Sequence, residues 1–167
     1  MPSVTDWITA VTAVLALLAA VWAGTTARRL HGIESDRDRR TREAAVREQA
    51  RNINAWCVVT DPAGRRRDGL LVSNTSDSPV YAVEVRSQDR NERVQFPLTL
   101  TLLPPGDFVV VEDATYHWTF PESVESMGVA IRPVTKHEYW RVTEVTFADS
   151  SGVTWRRDRD GQLTQLE

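Results

Sequence analysis

The side chains best suited to chemistry are few and scattered along this sequence. His31, His117 and His137 are its three histidines, and none has a second histidine or a cysteine at metal-ligand spacing. Zinc sites draw their ligands from closely spaced His and Cys pairs, so no zinc centre is expected. Asp158, Asp160, Gly161 and Glu167 fall at the third, fifth, sixth and twelfth positions of a calcium loop. The first position, however, is Arg156, a cation where a carboxylate should bind, and a strand pattern precedes it. "DRDG" therefore reads as a hairpin turn. Serines are numerous, yet no Gly-x-Ser-x-Gly elbow occurs. Cys57, the sole cysteine, sits in an apolar strand pattern and reads as a small core residue that has no internal disulfide partner. No glycine-rich loop precedes a helix to cradle a phosphate. No catalytic residue, metal ligand or cofactor is assigned.

Two features remain that bear on binding. "GRRRDG" concentrates charge at Arg65–Arg67 and reads first as a hairpin tip whose cations keep a sheet edge from pairing. Tyr116, Trp118, Phe120, Tyr139 and Trp140 fall where strand alternation breaks. Exposed aromatics near loops are what protein interfaces use, so these five are assigned as the partner-binding surface. The competing reading is that Trp118 and Trp140 plug an open end of the fold.

The elements that position these residues begin with a membrane segment. Trp7–Ala27 holds no charge over 21 residues, which as a helix spans about 32 Å, the hydrocarbon thickness of a bilayer. Trp7 and Trp22 lie near its ends, where indoles favour the headgroup zone. The preceding "MPSVTD" lacks the positive charge of a signal peptide, so the span is expected to remain uncleaved. Arg28, Arg29, Arg37, Arg39 and Arg40 all follow it, which by the positive-inside rule places the C-terminal domain in the cytoplasm at the cell membrane. Thr12, Ala16, Ala20 and Gly24 recur every fourth residue, a small-residue ridge that permits close helix packing and self-association in the bilayer.

Residues 28–53 read as a charged helical stalk, with Asp36–Arg40, Asp38–Arg42 and Glu43–Arg47 at ion-pair spacing. No apolar heptad seam runs through it, so a coiled coil is not expected. Residues 52–167 carry twelve basic side chains against seventeen acidic ones. That balance argues against general nucleic-acid affinity, which rests on neutralising phosphates.

From residue 54 the period changes to two. "VQFPLTLTL" places Val94, Phe96, Leu98, Leu100 and Leu102 on one face, and "PVYAVEVR" places Tyr81, Val83 and Val85 together. "AWCVVT", "GLLVSN", "DFVVVED", "MGVAIRP" and "RVTEVTFAD" are further short strands, separated by the turn clusters "NTSDSP", "SQDRNE", "LPPGD" and "DSSG". "DSSGVTWRRDRDGQLTQL" reads as consecutive hairpins, and Pro97 marks an edge strand or a bulge. "YHWTFPESVESM" is irregular, with one helical turn. Some eight strands without a helical insert fit an antiparallel sandwich of immunoglobulin-like type.

The order of a Trp-flanked span, an Arg-rich stalk, "NTSDSPVYAVEV", "LPPGD" and "VTFADSSGVTWRRDRDGQL" resembles uncharacterised actinobacterial single-span membrane proteins with a C-terminal β-sandwich. The resemblance implies fold and anchoring. It implies no activity and no site residues. The expectation is a non-enzymatic anchor presenting a protein-interaction module at the inner face of the membrane. An outward-facing ligand- or carbohydrate-binding sandwich, or a hydrolase with an unrecognised carboxylate pair, are the alternatives.

Overall fold

The structure, a computed structural model, describes residues 47–61 and 64–166. Trp7–Ala27, the Thr12, Ala16, Ala20 and Gly24 ridge and most of the stalk lie outside the described residues. Among the described residues no helix is long and apolar enough to cross a membrane.

The alternating segments form two antiparallel sheets. In the first, the order is β6 (His117–Trp118), β5 (Gly106–Asp113), β2 (Arg67–Asn74), β1 (Ile53–Thr60) and β8 (Ile131–Pro133), and β7 (Glu122–Ser123) also pairs with β5. In the second, it is β11 (Leu163–Leu166), β10 (Thr154–Asp158), β9 (Arg141–Ala148), β3 (Val80–Gln88) and β4 (Leu98–Leu103). Leu70, Val72 and Val110 of the first sheet share one buried cluster with Val83, Val85, Val145 and Phe147 of the second, which makes the unit an all-β sandwich. Each such side chain contributes about 1.5–3 kcal/mol by leaving water.

The first sheet is covered on its outer face too. Val58, Leu71, Val109 and Val111 pack there against Val124 and Met127 of the short helix α2 (Val124–Met127) and against Ile131. Burial on both sides explains why "LLV" in β2 and "VVV" in β5 run on without alternating.

Two expected faces break. Val83 and Val85 are buried, but Tyr81 is turned outward, because a bulge with Ala82 at φ 48° shifts the phase of β3. Leu98 is buried at the start of β4, whereas Val94 and Phe96 stay exposed. Pro97 lacks the N–H that would extend the ladder, so β4 begins just after it and forms an edge of its sheet.

The terminal hairpins follow one recipe. Asp149 Oδ1 accepts from the backbone N–H of Ser151 and Val153, and Asp158 Oδ1 from those of Asp160 and Gln162. Gly152 and Gly161 then take the left-handed conformation at φ 81° and 82°. The buried Asp149 carboxylate also accepts the indole N–H of Trp155 at 2.8 Å, tying turn to core.

The sandwich starts earlier than residue 54. Residues 47–51 are helical (α1), and Ala50 and Ile53 are fully buried in the main cluster. Arg157 of β10 donates to the carbonyls of Ala50, Arg51 and Ile53, satisfying acceptors that a helix end leaves open. Burial pulls this guanidinium below its ordinary pKa. Gln49 donates to the carbonyls of Ser78 and Pro79 and accepts from the hydroxyl and N–H of Ser150.

Candidate functional site

The five rings assigned from sequence divide into two groups. Trp118 and Trp140 are buried, at 9% and 4% exposure, so their indoles belong to the core and are withdrawn from the partner surface. Tyr116 and Phe120 are exposed at 79% and 91%, and Tyr139 at 41%. The reason is local. Trp118 lies in β6, paired to the end of β5, and its indole N–H donates to the Phe96 carbonyl at 2.9 Å.

A tight turn aims Tyr116 outward. Asp113 Oδ1 accepts from the N–H of Thr115 and of Tyr116 at 2.8 and 2.9 Å, and these bonds hold its carboxyl below the usual range. His117 follows with a φ of 65°, uncommon for a residue with a Cβ. Its ring stacks on Phe96 with centroids 3.5 Å apart and planes 14° from parallel. The stack joins two segments into one rim, with Val94 and Phe96 from the β3–β4 connection and Tyr116 and Phe120 from either side of β6. Sequence reading missed Val94, Phe96 and His117. The signal that would have found the first two is Pro97, which ends any strand reaching back to them.

A cleft of 440 Å³ lies beside this rim, lined by Gln95, Phe96, Glu112, Asp113, His117 and Trp118. Partial burial and the nearby Asp68 carboxylate push the Glu112 carboxyl up. Asp113 is committed to its turn, and Glu112 Oε1 accepts from Gln95 Nε2. Both acids therefore have hydrogen-bond partners within the domain. Among the described residues, no group of three or more His, Cys, Asp or Glu side chains is disposed to hold a metal ion. Cys57 is buried in β1, and burial, with the Asp68 and Glu112 carboxylates, pushes its thiol up to about 12. It stays protonated and unreactive near neutral pH.

Around Trp140 the arrangement is different. Arg90 lies over the indole at 4.4 Å from the ring centroid, while its Nη2 donates to both Asp68 oxygens at 2.7 and 2.6 Å. The backbone N–H of Trp140 donates to His137 Nδ1 at 3.1 Å. The Arg65–Arg67 tip guards no edge, since both strands it joins are interior to their sheet. Arg67 instead donates to the Glu112 carbonyl at 2.7 Å.

No family model matches the chain, and neither does any curated protein or solved structure.

Proposed function

We propose that the chain is a non-enzymatic, membrane-anchored module of immunoglobulin-like type. It offers the rim built on Phe96, Tyr116 and Phe120 to a protein partner. The uncharged Trp7–Ala27 segment supports the anchor, and the arginines that follow it support a position at the inner face of the membrane. The observation that carries the binding role is the exposure of Val94, Phe96, Tyr116 and Phe120 (77%, 61%, 79% and 91%) beside a filled core. Large apolar groups held outward by hydrogen-bonded turns cost solvation unless something covers them.

The test is site-specific photo-crosslinking of the full-length protein in its membrane. A photoreactive residue at position 120 is expected to give a discrete protein adduct, and one at the exposed Thr99 of β4 none. Equal labelling at both positions, or at neither, overturns the assignment. A cytoplasm-only fluorescent reporter fused after Glu167 checks the orientation, and an active exported phosphatase at that point would refute it.

A further inference from the structure

A second cleft, of 560 Å³, opens between the β1–β2 tip, the β3–β4 connection and the segment after β8. Arg66, Arg90, Arg132 and Lys136 all line it, together with His137 and the edge of Trp140. One lining carboxylate, Asp61, opposes the four cations. Arg66 and Arg90 share Asp68 between them. Arg132 and Lys136 have no carboxylate within salt-bridge reach among the described residues.

The concentration stands out in a domain that is net acidic and whose one lysine is Lys136. It also gathers cations from three stretches distant in sequence, so it is a product of the fold and not of a charge run. Like charges converge at a cost unless a counter-charge sits among them. Arg90 is already oriented by Asp68 and by the Trp140 face, so little of its freedom is left to lose on binding.

We propose that this cleft binds a phosphate-bearing anion. A single carboxylate would answer one guanidinium. An anion with several acceptor oxygens and more than one charge answers planar guanidinium forks and a lysine point charge together. A phospholipid headgroup and a soluble phosphate compound share that chemistry. The proposal is independent of the aromatic rim and rests on other residues.

The experiment is calorimetric titration of the full-length protein, held in uncharged maltoside micelles, with pyrophosphate at constant ionic strength. Saturable binding is expected. The double variant Arg132→Gln, Lys136→Gln should weaken it at least about tenfold, since both charges and their hydrogen bonds to the anion are lost. Both side chains are exposed, and an unchanged melting curve would exclude unfolding as the cause. Arg156→Gln, on the far hairpin, should leave the affinity as it was. Adding phosphatidic acid to the micelles separates the sources. A fall in apparent pyrophosphate affinity assigns the cleft to a headgroup, and no change assigns it to a soluble phosphate. Absence of saturable heat, or equal affinity in the wild type and the double variant, overturns the proposal.

Discussion

Trp118 and Trp140 both close the core beneath connecting segments, yet what covers them differs. Trp118 is tied to the Phe96 carbonyl, and the Phe96 ring carries the stacked His117, with Tyr116 and Phe120 exposed nearby in the chain. Over Trp140 lies Arg90, anchored by Asp68. A buried indole leaves the chemistry above it open. Near one lie exposed apolar side chains, and over the other lies a cation. One connection serves both, because Arg90 and Phe96 leave β3 only six residues apart.

The comparison breaks most visibly at the indoles themselves. Trp118→Ala and Trp140→Ala should each remove about 3–5 kcal/mol of stability, read by denaturant titration. Tyr116→Ala and Phe120→Ala should each stay within about 0.5 kcal/mol, and Tyr116→Ala should abolish the position-120 adduct. If all four variants lose stability equally, the division into core and rim fails.

Arg90→Ala should cost about 1–2 kcal/mol, combining a cation–π contact with a two-oxygen ion pair that is only partly screened. Phe96→Ala, on the other side of the same connection, should cost less because its ring is 61% exposed. The reverse order would mean that the stack on His117, not the cation, organises this segment.

A change in the opposite direction is expected at Glu92. Asp89 Oδ1 accepts from the N–H of Asn91 and Arg93, bonds that keep its carboxyl low, and the turn matches those at Asp149 and Asp158. Where those turns have Gly152 and Gly161, this one puts Glu92 at φ 63°. Glu92→Gly should raise stability by up to about 1 kcal/mol by relieving left-handed strain. It should leave pyrophosphate binding intact.

The smallest effect is expected at Glu112. Its carboxyl is raised in the folded protein, so the folded state holds that proton more tightly than the unfolded chain does. This group's contribution therefore falls as pH rises through the carboxylate range. Asp89 and Asp113, both lowered, act oppositely and lose their contribution as pH falls. Glu112→Gln should flatten the decline, giving a slightly higher melting temperature than wild type at neutral pH and no gain in acid.

Two-sheet architecture and the terminal hairpins were legible because alternation and turn residues are local signals. "DSSG" and "DRDG" carry their aspartate and their glycine at the positions the turn needs. The phase of β3 was not legible, since the bulge at Ala82 inserts a residue that no propensity marks. Indoles and rim rings looked alike in the string for a related reason. Burial of Trp118 depends on pairing with β5 and on the carbonyl of Phe96, a residue 22 positions away. Of the basic cleft only Arg66 lay in a cluster the sequence marks, because Arg90, Arg132 and Lys136 meet it through tertiary structure alone.

Arg157 and Gln49 have a mechanical consequence. The chain passes from α1 directly into β1 of one sheet, but the side chains that seize α1 hold it to the other, through β10, the β9–β10 turn and the approach to β3. A pull on residue 47 would thus be divided between both layers instead of peeling β1 from its neighbours. Twisting there would turn the sandwich as one piece, so the direction in which the rim and the cleft face is set by the bearing of α1.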